Sequence, residues 1–253
     1  MMPKPILQPG WQIGWSMSKP FAVFDIDGTI IRWQLYHAIG DELARRGIID
    51  ADSFKAVRQA RMNWKRRSGQ EQFHEYEMEL VRAFDQALPG LEVKVLKDVA
   101  ATVFDEYKEQ VYTYTRDLIR GLKAKDYLLF AVSGSPDVIV AMLAEYYGFD
   151  DYSATTYPAE AGKFTGGKDL AIGKKSELLQ KLIDKHGAEL KGSLAVGDSE
   201  GDIDILAMVE QPVAFNPSKQ LFEHAKQQAW PIVIERKNVI YKLETSSGKY
   251  VLA

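Results

Sequence analysis

Phe21-Ala22-Val23-Phe24 runs directly into Asp25-Ile26-Asp27-Gly28-Thr29-Ile30, and this stretch decides the fold. Four apolar residues in succession are too short for a helix and leave no polar side to face water, the pattern of a strand buried on both faces. Three further runs share it, at 128–132, 194–196 and 213–215. Two of them also end in polar or glycine-containing loops: Ser133-Gly134-Ser135-Pro136 follows one, and Gly197-Asp198-Ser199-Glu200-Gly201-Asp202 the other. Helical patterns separate the runs. One spans 136–147, with Pro136 at its first position and Gly148 as its stop; another spans 174–186 and stops at Gly187. Strands alternating with helices predict an α/β fold, a parallel sheet with helices on both faces.

One stretch breaks the alternation. Helical patterns alone fill 35–46, 53–67 (ending near Gly69), 70–88 and 91–110, which reads as an all-helical insertion between two strands of the sheet. Beyond Pro231, Ile232-Val233-Ile234, Val239-Ile240-Tyr241 and Tyr250-Val251-Leu252 are separated by Arg236-Lys237-Asn238 and Ser246-Ser247-Gly248, as in a strand followed by a hairpin. The expected organisation is an irregular lead-in and the start of a core over 1–33, a helical insert over 34–112, core over 113–231, and a C-terminal strand and hairpin attached to the core over 232–253.

The 253 residues carry 32 Lys+Arg against 35 Asp+Glu, a formal net charge of −3, so no bulk basic signal favours nucleic acid or an anionic membrane. Cysteine is absent, which excludes disulfides and zinc–thiolate sites and fits a reducing compartment. The Pro- and Gly-broken start lacks a secretory apolar stretch, and no run reaches membrane-spanning length. The reading is a cytoplasmic protein without nucleic-acid or membrane partners.

Ligands of an open parallel sheet bind beyond the carboxyl ends of its strands. Three such ends here carry four carboxylates, Asp25, Asp27, Asp198 and Asp202. Clustered carboxylates raise one another's pKa unless a cation neutralises them, and hard oxygen donors without Cys or a His cluster suit Mg2+ shared with phosphate. Calcium in an EF-hand fails on spacing: Gly and acid are required at the sixth and twelfth positions, where counting from Asp25 gives Ile30 and Tyr36, and from Asp198 gives Ile203 and Val209. A carboxylate can also be a nucleophile, with a second acid two residues on as general acid and base, the relation of Asp25 to Asp27. Ser133 and the Gly134 amide stand where a helix begins and an anion is welcome, while Ser135 reads as the cap of that helix. On the helix from 174, the stripe of Leu178, Leu179, Leu182 and Ile183 is centred within about 10° of Lys175 and roughly 110° from Lys174. Lys175 should therefore point inward, where it needs carboxylate or phosphate partners, and Lys174 should be solvated. Asp202 also has a plain reading as an acid in a first helical turn; Glu200 and Asp204 read as surface. In the insert, Arg58, Arg61, Lys65, Arg66 and Arg67 read mostly as a solvated face, and Trp33, Tyr36, Trp64, Phe73 and Tyr76 mostly as its core.

Taken together, FDIDGTI, SGSP, Lys175 and GDSEGD resemble the haloacid dehalogenase superfamily, in the subfamily of phosphoserine phosphatases and related bacterial phosphatases. The resemblance spans about 20–231 with the motifs in the family's order. It implies a Rossmann-like core with an inserted C1-type helical cap, and a Mg2+-dependent phosphatase acting on a small phosphomonoester through an aspartyl-phosphate. Asp25 would be the nucleophile and Asp27 the acid/base, with its backbone carbonyl on the metal. Ser133, Gly134 and Lys175 would bind the phosphoryl group, Asp198 would ligate magnesium, and Asp202 would support it directly or through water. The second acid, Asp27, favours phosphoryl transfer over carbon–halogen cleavage. Phosphoserine phosphatases place a Glu for the substrate amine where this chain has Gln34, and read SGGF where it has SGSP. Arg82 is the candidate counterpart of their cap arginine. SGSP is closer to members acting on other phosphomonoesters, including histidinol-phosphate-like and lipid-head-group phosphates. Alternatives are phosphoserine phosphatase proper, a phosphomutase, and a non-catalytic phosphate-binding module.

Overall fold

The computed structural model describes residues 18–67, 72–246 and 249–252. The expectations for the lead-in up to residue 17, for the helix end at Gly69 and helix start at Gln70, and for the turn at Ser247-Gly248 lie outside them. In chain order the elements are β1 (Pro20–Phe24), α1 (Leu35–Arg45), α2 (Ala51–Arg66), α3 (Gln72–Ala87), α4 (Val93–Tyr107), α5 (Thr113–Ala124), β2 (Leu128–Pro136), α6 (Asp137–Tyr147), β3 (Asp151–Thr155), β4 (Ala159–Glu160), β5 (Lys163–Phe164), α7 (Lys175–His186), β6 (Glu189–Gly197), α8 (Ile203–Ala207) after a single 3-10 turn at Glu200–Asp202, β7 (Gln211–Phe215), α9 (Lys219–Gln228), β8 (Ile232–Arg236), β9 (Val239–Ser246) and β10 (Lys249–Leu252).

Eight strands form one sheet in the order β10-β9-β8-β7-β6-β1-β2-β3. The six from β3 to β8 are parallel, and β9 and β10 extend the sheet antiparallel. The α/β expectation holds. β1 is fully buried on both faces because its side chains alternate: Ala22 and Phe24 enter one core with α5 and α6, and Phe21 and Val23 enter another with α7, α8 and α9. Each buried phenylalanine contributes roughly 1.5–3 kcal/mol, so β1 is pinned in register. After β1 the chain adds β2 and β3 on one side, then crosses to β6, β7 and β8 on the other. The crevice beyond the end of β1 is therefore a topological switch point, where such sheets bind ligands.

The four helices α1–α4 intervene between β1 and α5, as the helical patterns predict. Two connectors join them to the sheet side by side: Ile31 bridges Val111, Arg32 N–H donates to Gln110 O at 2.8 Å, and Tyr112 N–H donates to Ile30 O at 3.0 Å. Asp50 starts α2 by accepting from the Asp52 and Ser53 amides. No helix among the described residues is long and apolar enough to cross a membrane.

The sequence patterns give no counterpart for α5, α8, α9 or the two-stranded β4–β5 ribbon, and two further elements differ from expectation. β3, Asp-Tyr-Ser-Ala-Thr, was not foreseen because it lacks an apolar run; as the edge strand beside β2 it is mostly half-buried. At α6, β2 continues to Pro136, which precedes the helix rather than beginning it.

Candidate active site

Three strand ends and one helix start meet at the switch point. Lys175, at the start of α7, is only 7% exposed and donates to Asp25 Oδ1 at 2.7 Å and to Asp202 Oδ1 at 2.6 Å. Asp202 is fully buried; its Oδ2 accepts from the Asp198 and Ser199 amides at 3.1 and 3.0 Å and from Ser199 Oγ at 3.0 Å. Its role exceeds that of an acid in a helix's first turn, since it folds the Gly197–Asp202 loop around itself and anchors the lysine. Gly28, at φ +81°, faces Asp198 so closely that any side chain there would overlap the carboxylate. Lys174 is exposed and pairs with Asp169, as the helical geometry predicts.

Asp27 points elsewhere. Its Oδ1 accepts from Leu35 N–H at 2.5 Å, capping α1, and its Oδ2 accepts from Ser133 Oγ at 3.0 Å and Ser135 Oγ at 2.7 Å. Ser133 Oγ in turn accepts from the Ser135 amide. Ser135 therefore does not cap α6, as the sequence suggests; the strand carries it to Pro136, and its hydroxyl serves Asp27. Gly134 lies between them, its carbonyl accepting from Thr155 Oγ1 at 2.8 Å and its open α-carbon covered by Ile172.

Carboxylate oxygens of Asp25, Asp198 and Asp202 lie within 4.8 Å of one another. Burial, with Asp202 and Asp27 adding to it and Lys175 opposing, pushes Asp25 up to about 7. Burial, then Asp25 and Asp202, hold Asp198 well above the usual carboxylate range. Burial also raises Asp27, against the hydrogen bonds from Leu35, Ser135 and Ser133. Burial alone would lower Lys175, but Asp202 and Asp25 outweigh it and raise it. One lysine thus fails to neutralise the carboxylates. An excess of buried, hard-oxygen negative charge fits a small divalent cation, with Asp25 and Asp198 the residues to hold it and Asp202 beside them. The Asp27 side chain is not in this group.

Residues 22–207 match the haloacid dehalogenase-like hydrolase family. The chain belongs to that family. It is similar to a phosphoserine phosphatase of Methanocaldococcus jannaschii, 26% identical over 226 residues covering 87% of this chain and 94% of the relative. It is also similar to a histidinol-phosphatase of Neisseria meningitidis, 22% identical over 230 residues covering 85% and 98%. Among solved structures, a substrate-bound phosphoserine phosphatase shares the fold with a TM-score of 0.61 at 22% identity, covering 87% of this chain and 95% of that one. A Bordetella pertussis protein of unknown function does so at 0.69 and 21%, covering 86% and 99%. The expected enzyme class, a phosphatase of the haloacid dehalogenase family, is borne out.

Within this family member, the two substrate candidates drawn from the insert are not brought to the cluster in the same way as the motif residues. Gln34 is half-buried directly before α1 and does not cap it. Arg82 stands exposed on α3, paired with Glu79 at 2.7 Å one turn away. Conversely, Glu77 of α3 lies outside every motif of the sequence. Burial pushes its carboxyl up to about 7, with Glu200 and Asp27 adding and His74 opposing. The signal was available: Glu77, Leu80 and Phe84 share a helical stripe, and an acid on an apolar stripe needs a reason. The aromatic residues pack in the insert's core as expected: Trp33, Phe73 and Tyr76 surround His37 of α1, which stacks on Tyr76 at 4.5 Å and meets Phe73 edge-on at 5.8 Å, while Tyr36 packs on Phe84. Arg61 lies over Trp33 and Tyr76 and pairs with Asp41 at 3.0 Å, so it belongs to this cluster and not to a solvated face.

Proposed function

We propose that the chain is a Mg2+-dependent phosphomonoester phosphatase that works through a phosphoaspartate on Asp25. The observation that carries the reading is the pairing of Asp25 with Lys175 at 2.7 Å beside Asp198 and Asp202, while Asp27, two residues away, is held apart by its own hydrogen bonds. An Asp25 carboxylate oxygen attacks phosphorus, and the bond to the leaving oxygen breaks as Asp27 protonates that oxygen. Asp27 then takes a proton from water. The water oxygen bonds to phosphorus, the bond to Asp25 breaks, and inorganic phosphate leaves. An acid whose pKa is raised by burial and whose two oxygens are fixed from opposite sides suits both roles. Lys175 holds Asp25 in place and offers its charge to the phosphoryl oxygens, with Ser133 and the Gly134 backbone bordering the same space. Asp25 and Asp198, with the backbone of Asp27, would hold the magnesium, Asp202 supporting it directly or through water, and the ion would screen the nucleophile from the phosphate's charge.

Residues 34–112 act as the cap that selects the substrate, and the enzyme works in the cytoplasm on a small metabolite. Gln34 and Arg82 remain the substrate-contact candidates that the resemblance supplies. The uncharged Gln34 and the ion-paired Arg82 favour a phosphomonoester other than phosphoserine, although phosphoserine and histidinol phosphate are the first two to assay. The test is turnover of an aryl phosphate. Wild type should require magnesium and lose activity in chelator, and Asp25→Asn should lose at least about 10³-fold. Solvent oxygen label should enter the released phosphate, which a phosphomutase would not show. An Asp25→Asn variant with near-wild-type rate would refute the mechanism.

A further inference from the structure

Glu235, in β8 of the C-terminal extension, is only 5% exposed and has no part in the chemistry above. Its carboxylate reaches across more than a hundred residues of sequence to the start of α5, accepting from Thr113 N–H at 3.0 Å and Tyr114 N–H at 2.8 Å. These are two of the orphan amides of a helix that has no side-chain cap of its own. Glu235 is itself held, its amide donating to Asn216 Oδ1 at 2.8 Å, while the Asn216 amide donates to Val233 O at 2.8 Å. The rings of Tyr112 and Tyr114 both pack on Phe215, at 5.0 and 5.6 Å.

The same first turn of α5 holds the chain just after the nucleophile. Thr115, fully buried, donates from Oγ1 to Thr29 O at 2.9 Å, and Tyr112 N–H donates to Ile30 O at 3.0 Å. Ile31 O then accepts from Gly28 N–H, and Leu35 N–H donates to Asp27. An unbroken series of hydrogen bonds and short backbone steps thus runs from Glu235 to Asp27. We propose that Glu235 is a positioning residue: by fixing the first turn of α5, the C-terminal strand fixes the root of the helical insert and the loop that carries Asp25 and Asp27. The proposal rests on the phosphatase reading only for its kinetic consequence.

The experiment compares Glu235→Ala and Glu235→Gln with Asp50→Ala, which also deletes a carboxylate accepting from two amides at a helix start, but in α2, away from the loop. Each is assayed on an aryl phosphate at a temperature where circular dichroism shows it folded, and native-state hydrogen exchange is followed at the amides of residues 28–31. Glu235→Ala should lower kcat at least about tenfold with KM within about twofold, and should speed exchange at 28–31 at least about tenfold. Glu235→Gln, keeping one acceptor oxygen, should fall between it and wild type. Asp50→Ala should lower the unfolding temperature while leaving both readouts unchanged. If Glu235→Ala does not fold, Glu235→Gln carries the comparison. Exchange at 28–31 no faster in the Glu235 variants than in Asp50→Ala would overturn the proposal and leave Glu235 a helix cap. If wild type shows no turnover, the phosphatase reading falls, and the exchange comparison still decides whether Glu235 orders the loop.

Discussion

At the end of β1, Lys175 touches two carboxylates at 2.7 and 2.6 Å, whereas inside the helical insert His37 lies against the Tyr76 ring with its Nδ1 unpaired among the described residues. Both places bury ionisable groups, and they resolve the cost differently. The sheet end gathers more carboxyls than its one lysine can balance, so that ionisation of Asp25 and Asp198 is disfavoured until a further cation is supplied. The insert avoids charge on the histidine: burial, then the nearby Arg61, lower His37 to about 4. The proposed chemistry belongs to the unbalanced region; the other is a scaffold of rings, with Arg61 retained by Trp33, Tyr76 and Asp41.

The contrast can be broken most sharply at Lys175. Lys175→Met removes the cation shared by Asp25 and Asp202, and breaking a buried pair by removing one partner costs about 3–5 kcal/mol. Urea unfolding should register a loss of that order, partly recovered on adding magnesium. An unchanged midpoint would show that the carboxylates do not depend on the lysine.

In the insert the corresponding prediction concerns protons. Between pH 6.5 and about 4 the unfolded chain binds a proton at His37 that the folded chain refuses, so this contribution is intact above 6.5 and is lost as pH falls through that window. The total is about 3 kcal/mol. The unfolding free energy of wild type measured relative to that of His37→Leu should therefore be higher by that amount at pH 7 than at pH 4. Parallel pH profiles would place the histidine's proton affinity near its ordinary value.

The smallest expected effect sharpens the charge imbalance. Because burial and its acidic neighbours disfavour ionised Asp198, Asp198→Asn should raise stability in magnesium-free buffer. It should also abolish stabilisation by magnesium, which for wild type at a hundredfold excess over the dissociation constant amounts to about 2.7 kcal/mol. A variant that loses stability without metal would contradict the imbalance.

Much of this was legible in the sequence because burial leaves a strong pattern. Strands buried on both faces read as continuous apolar runs, which located β1, β2, β6 and β7, and one helical stripe sufficed to turn Lys175 inward. The edge strand β3, Asp-Tyr-Ser-Ala-Thr, has no apolar run and so no such pattern, whereas the opposite edge, β10, shows one in Tyr250-Val251-Leu252. A serine before a helix usually caps it, so Ser135 reads as a cap in sequence, and only the path of β2 shows that its hydroxyl turns to Asp27. Glu235 could not be read at all: its partners are amides of a helix 121 and 122 residues away, and backbone amides have no sequence signature.

The claim that Asp25 carries the phosphoryl group is tested most directly by acid-quenching wild type during turnover of a labelled phosphomonoester with magnesium and mapping the label by mass spectrometry. The account predicts an acyl-phosphate on Asp25, within the peptide containing Phe24 to Thr29, that is absent from Asp25→Asn. Turnover at full rate with label passing to water and none trapped on Asp25 at any quench time, together with an active Asp25→Asn, would contradict it.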